Sequence, residues 1–248
     1  MNESTFYIEG KNPVLEALHS DRIIDKIYIT AGNKDSVIKS IISLAKEKGI
    51  IIQEVSKEKL DKMAKTQNHQ GVIALSPPYR YYELEEVMEL IREKKEKPLF
   101  LILDEINDPV NLGSLMRTAD ASGVHAIIIP KRRSVGLTPA VARVSMGAIE
   151  YVPVIRVNNI ARTIEELKDK GIWIFGADAA AESLYYQADF NTPMALVLGS
   201  EGKGLRPVVK EKCDFLIKIP MLGRISSLNV GVAGAVILFE VLRQRKKD

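Results

Sequence analysis

Two kinds of hydrophobic spacing divide this chain. Up to about residue 76 the apolar positions come in short groups. Lys26 to Thr30 alternates like a half-buried strand, while Lys34 to Lys48 repeats its apolar residues at helical spacing and stops at Gly49. Ile50-Ile51-Ile52 and Gly71-Val72-Ile73-Ala74-Leu75 predict further strands. Ahead of them, Asn12-Pro13 predicts a helix start, with Asn as cap and Pro at the first helical position, and a short helix through Leu18. Residues 1–76 therefore read as a small α/β domain. Pro77-Pro78-Tyr79-Arg80-Tyr81-Tyr82 then interrupts regular structure, and a charged helix from about Glu83 to Lys97 carries the chain onward. The boundary falls there, with 77–97 as linker and 98–248 as a second domain.

From Pro98 the spacing changes to continuous apolar runs: Leu99 to Leu103, Ala126 to Ile129, Trp173 to Gly176, Ala195 to Gly199 and Phe215 to Ile219. Helical stretches separate most of them. Uninterrupted apolar strands alternating with helices predict an α/β domain with a parallel sheet covered on both faces. Such sheets bind ligands beyond the carboxyl ends of their strands, so the loops after Leu103, Leu198 and Ile219 are where chemistry is expected.

Composition narrows the class. With 248 residues and 46% apolar content the chain can bury a substantial core. No stretch approaches the roughly 18 to 20 apolar residues of a membrane span, and Met1-Asn2-Glu3-Ser4 lacks the basic and apolar pattern of a signal peptide, so a cytoplasmic protein is expected. Cys213 is the single cysteine, and His19, His69 and His125 are scattered without ligand spacing, which argues against a disulfide framework or a zinc site. The net charge of +3 does not by itself indicate nucleic acid. Short basic groups are the better signal: Lys131-Arg132-Arg133 with Arg143, Lys203 with Arg206, and Arg243-Gln244-Arg245-Lys246-Lys247 are candidates to meet phosphates, or simply solvated surface.

Three loops carry unusual residues. In the first, Asp104 to Asp120, a polar segment enters a helix with Asn111 as the expected cap and Arg117 six residues further on; by spacing alone Arg117 is equally an ordinary exposed arginine, but a guanidinium binds phosphate or carboxylate in a fixed fork and keeps its charge. The second is Gly199-Ser200-Glu201-Gly202-Lys203-Gly204, directly after a buried strand. Its spacing fits neither the phosphate-cradling nor the dinucleotide fingerprint; its glycines either make a plain strand-to-helix turn or let backbone approach a ligand, with Glu201 as an acceptor. The third, Ile219-Pro220-Met221-Leu222-Gly223-Arg224-Ile225-Ser226-Ser227-Leu228-Asn229-Val230, runs into a helix whose small residues Gly231, Ala233 and Ala235 permit close packing.

Taken in order, Asn-x-Gly-x-x-x-Arg, Gly-x-Glu-Gly-x-Gly, and Ile-Pro-Met followed by Ser-Leu-Asn-Val resemble the three motifs of the SpoU (TrmH-like) RNA ribose 2′-O-methyltransferases of the SPOUT superfamily. The segments Gly10-Lys11-Asn12-Pro13-Val14-Leu15-Glu16-Ala17-Leu18 and His69-Gln70-Gly71-Val72 are similar to the substrate-recognition domain of its RlmB-type branch, so the resemblance spans nearly the whole chain.

The resemblance implies a methyltransferase domain knotted as a trefoil, preceded by a small α/β RNA-binding domain. It implies S-adenosylmethionine as methyl donor, with Gly199, Ile219 and Leu228 against it and Met221 and Gly202 close by, and no metal. It implies a homodimer, and a ribose of structured RNA as substrate, with a guanosine of large-subunit ribosomal RNA ahead of a transfer-RNA target or a non-catalytic assembly role. Arg117 matches the arginine placed at the target ribose; Asn111, Glu201, Ser227 and Asn229 match the other polar positions, expected to orient substrate and brace the loops. Gly231 departs from the pattern, since many relatives carry serine there. The first 76 residues hold eleven Lys or Arg against ten Asp or Glu, so RNA shape matters more there than bulk charge, with His69 and Gln70 read either as RNA contacts or as turn-holding residues.

Overall fold

The computed structural model describes residues 6–20, 22–66, 68–224 and 227–246. Ile225 and Ser226 of the third loop, Lys247 of the C-terminal basic run and the segment Met1 to Ser4 lie outside them. The chain separates into two units, one formed by residues 1–80 and 137–151, the other by 81–136 and 152–248.

The first unit begins with β1 (Phe6–Glu9), α1 (Lys11–His19), β2 (Lys26–Thr30), α2 (Ser36–Glu47), β3 (Ile51–Val55), α3 (Lys57–Met63) and β4 (Val72–Ser76). Its described strands make a four-stranded sheet in the order β1-β4-β2-β3, with β2 and β3 parallel and the other pairs antiparallel. α2 starts where expected because Asp35 accepts from the amides of Val37 and Ile38. α1 does not use Asn12 as cap: Gly10 holds that position at φ 100°, and Asn12 and Pro13 lie inside the first turn, where proline's missing N–H costs nothing. His69 and Gln70 hold their turn. The Gly71 amide donates to His69 Nδ1 at 3.1 Å, which leaves Nε2 to donate to Asp61 at 2.8 Å, and Gln70 Oε1 accepts from the Lys11 amide at 3.0 Å.

A helix over Pro139–Ser145 (α6) and the 3₁₀ turn Ala148–Glu150 belong to this unit, although they come much later in the chain. Gly147, at φ 101°, is the close-approach point: a Cβ there would stand 2.3 Å from Glu16 Cγ on α1. Glu150 accepts from the Tyr79 hydroxyl at 2.6 Å, and the Arg22 guanidinium lies 3.5 Å above the Tyr79 ring. Burial raises the Glu150 carboxyl above its ordinary range, against the lowering effects of Tyr79 and Arg22.

The second unit contains α4 (Leu84–Lys94), β5 (Leu99–Asp104), α5 (Pro109–Ser122), β6 (Ala126–Pro130), β7 (Val154–Val157), α7 (Ile160–Asp169), β8 (Trp173–Ala177), β9 (Ser183–Leu184), β10 (Met194–Gly199), α8 (Pro207–Lys210), β11 (Phe215–Lys218) and α9 (Val230–Arg245). Its described strands form one parallel sheet of seven in the order β7-β6-β5-β10-β8-β11-β9. The expected apolar runs are its strands: β5, β6 and β10 are buried almost throughout and β8 in its middle, but β11, near the sheet edge beside two-residue β9, ends at Lys218 and buries only Ile217, with Phe215 exposed. Leu84, Val87 and Ile91 of α4 join Phe100, Ile102 and Val197 in the core on one face. On the other, α9 packs against α5 and β10, where Gly234 admits Leu115 and Leu198: a Cβ on Gly234 would be 2.6 Å from Leu115 Cδ2. The strand order reverses between β5 and β10, and that switch point positions the site.

Candidate active site

The cap of α5 is Asp108, whose carboxylate accepts from the Val110 amide at 3.1 Å, with Pro109 as first helical residue. The expectation that Asn111 caps this helix is therefore corrected: Asn111 sits within the first turn, buried, and its side chain faces the second loop. There Asn111 Nδ2 donates to Glu201 Oε1 at 3.2 Å. The same oxygen accepts from Asn229 Nδ2 and, at 3.3 Å, from the Val230 amide. Asn229 Nδ2 also donates to Asn111 Oδ1 at 2.9 Å, while Asn229 Oδ1 caps α9 by accepting from Gly231 and Val232 amides at 2.9 and 3.3 Å. One residue from each loop thus meets in a single hydrogen-bonded cluster.

Beside it, beyond the ends of β8, β10 and β11, opens a cleft of about 730 Å³. Gly199, Glu201, Gly202, Ile219, Met221, Ser227, Leu228 and Asn229 all line it, together with apolar Leu198, Ile217 and Ile237. Gly199 is there for a steric reason: the loop folds back so tightly that a Cβ at 199 would lie 2.1 Å from the Gly204 carbonyl carbon. Gly202 and Gly204 turn the loop at φ 78° and 66°. A fourth segment, Ala177 at the end of β8 with Asp178-Ala179-Ala180 beyond it, also lines the cleft and is not among the three loops that the sequence marks. Its signal was available, since β8 is legible as a buried parallel strand and its C-terminal loop must open on the same edge. Burial is the largest single influence on the Asp178 carboxyl and pushes it up, but Lys210 at 2.8 Å and the donating Ala180 amide together outweigh it and hold the carboxyl below its ordinary range.

Arg117 is on the exposed side of α5, outside the cleft lining, and has no hydrogen-bond or ion-pair partner among the described residues. Its neighbours Leu115, Met116 and Ala119 are buried, so the helix is fixed while the guanidinium stays available. At Gly231, a Cβ would stand 3.2 Å from Ser114 Oγ, a tight fit.

The basic groups prove less available than their sequence suggests. Arg206 is committed to buried Asp104 through Nε at 2.8 Å and a terminal nitrogen at 2.6 Å. Arg243 pairs with Glu240 through two bonds of 2.7 Å, and Arg245 donates to the carbonyls of Lys97, Pro98, Phe190 and Thr192. Arg133 pairs with Glu105 at 3.3 Å. Lys131, Arg132 and Lys203 remain exposed. The lone thiol is no nucleophile, because burial pushes Cys213 up to about 12.

Comparison with known proteins agrees with this geometry. Residues 98–239 match the model of the SpoU rRNA Methylase family, and residues 7–82 match that of the RNA 2′-O ribose methyltransferase substrate binding domain. A Bacillus subtilis protein, YacO, whose name places it in the TrmH family of tRNA/rRNA methyltransferases, is 52% identical over 245 residues, covering 99% of this chain and 98% of its own. A crystal structure of an RNA 2′-O ribose methyltransferase superposes with a TM-score of 0.81 at 27% identity, over 98% of this chain and 90% of that one. The methyltransferase AviRb of Streptomyces viridochromogenes, solved with the cofactor AdoMet, shares the fold with a TM-score of 0.81 at 23% identity, over 98% and 91% of the two chains.

Proposed function

Because this chain belongs to the SpoU rRNA Methylase family of RNA 2′-O-ribose methyltransferases, we propose that it methylates a ribose 2′-hydroxyl in structured RNA, with a guanosine of large-subunit ribosomal RNA as target and S-adenosylmethionine as donor. The observation that carries this reading is the convergence of three loops, through Asn111, Glu201 and Asn229, on the rim of a cleft at the sheet's switch point.

The residues present fit the donor. The cleft volume lies within the roughly 300–1,000 Å³ usual for small-molecule sites. Ile219, Leu228 and Met221 offer apolar contacts suited to an adenine, and Gly199 and Gly202 leave backbone groups within reach. When bound, S-adenosylmethionine supplies a methyl group already activated by its sulfonium. The protein's task is then alignment and removal of one proton. Arg117 holds the phosphate beside the target ribose and favours ionisation of its hydroxyl. Glu201, with one carboxylate oxygen receiving three donors, braces the loops, and Asn111 and Asn229 transmit that brace to α5 and α9. Ser227, exposed on the cleft wall, orients substrate.

In this reading residues 1–76 recognise RNA shape, 77–97 lead into the second domain with α4 packed in its core, and 98–248, apart from the 137–151 excursion into the first unit, carry the reaction with the C-terminal part threaded as a trefoil knot. The enzyme works in the cytoplasm as a homodimer. Val110 on α5 and Val232 and Phe239 on α9, 56%, 50% and 48% exposed, supply apolar surface for the partner subunit.

The test is transfer of labelled methyl from S-adenosylmethionine to ribosomal RNA from a strain lacking this gene, followed by mapping. Label in one 2′-O-methylated guanosine of the large subunit is expected. Label in transfer RNA alone overturns the target, and no label on free RNA, precursor particles or transfer RNA overturns the activity.

A further inference from the structure

Asp104 ends β5 and is 1% exposed, a position where an unpaired carboxylate would be costly. Among the described residues, the donors to its carboxylate all come from one residue, 102 positions away. Arg206 donates its backbone amide to Oδ2 at 3.1 Å and its Nε to Oδ1 at 2.8 Å, and a terminal nitrogen lies 2.6 Å from Oδ1. In the adjacent strand, Asp104 stands in register with Gly199.

Two chain segments diverge from this register pair. One leaves Asp104 through Glu105, held in the left-handed region at φ 65°, toward the Asp108 cap and the helix bearing Asn111 and Arg117. The other leaves Gly199, carries Glu201 along the cleft, and ends at Arg206, which opens α8. Arg206 therefore returns the far end of the cleft loop to the level of the sheet from which it departed. A side branch reinforces the tie, because Glu105 lies 3.6 Å from Arg206 Nε and 3.3 Å from Arg133.

We infer that Arg206 is a positioning residue for methyl transfer: its clamp on Asp104 fixes the loop that lines the donor cleft against the helix that presents Arg117. A buried ion pair adds little stability over a well-packed apolar pair, but it is directional, and a planar fork gripping one carboxylate sets separation and angle together. Lysine cannot reproduce the fork, although it keeps the charge and the backbone N–H. The inference rests on the methyltransferase reading above.

The test compares wild type with Arg206→Gln, Arg206→Lys, Asp104→Asn and the double variant Asp104→Asn/Arg206→Gln, each below its own unfolding temperature. The expected result for Arg206→Gln is a KM for S-adenosylmethionine raised about tenfold and a kcat lowered about tenfold, with KM for RNA within twofold of wild type. Arg206→Lys should recover part of both losses, and the double variant should be no worse than Arg206→Gln. If Arg206→Gln does not fold, Arg206→Lys and Asp104→Asn carry the comparison. Wild-type kcat and KM in the folded variants, with only the unfolding temperature lowered, overturn the inference. Calorimetric binding of S-adenosylmethionine separates it from the reading on which it rests. Should the wild-type chain bind the donor yet methylate no RNA, the substrate assignment fails. A tenfold weaker Kd in Arg206→Gln then still supports the clamp, and an equal Kd overturns it.

Discussion

Asn229 donates its side-chain amide to Asn111 at 2.9 Å across 118 positions of sequence, and its own carbonyl oxygen caps α9. One residue thus performs a local task and a long-range one, and substitution separates them. Asn229→Ala should lose the cap and leave buried Asn111 short of a donor, about 2 kcal/mol together, lowering Tm by roughly 4–8 °C. Asn229→Asp should keep the cap while setting a second carboxylate against Glu201. Methyl transfer is expected to fall in both, with the smaller Tm change in the aspartate variant; full activity in either removes the cluster from the catalytic account.

Gly199→Ala should be far worse than its single methyl suggests, because the obstruction is the Gly204 backbone at 2.1 Å, which has no rotamer to change. The expected cost is about 2 kcal/mol or more, together with at least tenfold weaker binding of S-adenosylmethionine by calorimetry. Gly223→Ala is the control, since among the described residues nothing lies within 4 Å of a Cβ there. Equal donor affinity in the two variants would show that the loop can relax.

Arg117→Ala removes an exposed side chain that has no partner among the described residues, so stability should change by no more than about 0.5 kcal/mol. Methyl transfer should drop about a hundredfold, and Arg117→Lys should restore only part of it, lacking the fork. Steady-state kinetics beside a melting curve decide the matter.

The buried Glu150 carboxyl makes a pH prediction with a definite sign. Its folded-state value is raised above the ordinary 4.5, chiefly by burial, so the folded protein holds that proton more tightly than the unfolded chain. Its stabilising contribution is present below 4.5 and is lost as pH rises through the folded value. Denaturation measured from pH 4.5 to 8 should show a decline that is shallower in Glu150→Gln, whose side-chain oxygen still accepts from Tyr79. Parallel curves would dismiss the effect.

The apolar runs after Pro98 are legible as strands because a parallel sheet buries both faces and needs no alternation. Short elements escape that signal: β9 has two residues, and exposed Arg156 interrupts β7. The three loops are legible as chemistry by residue type, but their partnerships are not. Asn111 looks like a cap because polar residues before an apolar helix usually are, yet Asp108-Pro109 takes that role and Asn111 serves Glu201, 90 positions on. Arg206 and Arg245 look like a phosphate surface until folding supplies Asp104 and a ring of carbonyls. Local composition cannot report an acceptor that arrives from another part of the chain.

The membership of residues 137–151 in the first unit bears on how the protein is made. A ribosome completes β1 to β4 well before it supplies α6 and Glu150, the pieces that seat against Glu16, Tyr79 and Arg22. At about 5–20 residues per second, the 71 residues between Arg80 and Tyr151 take roughly 4 to 14 s to synthesise. Throughout that interval the first unit, its sheet already synthesised, waits for a helix and a turn not yet translated, and β5 and β6 of the second unit are made first.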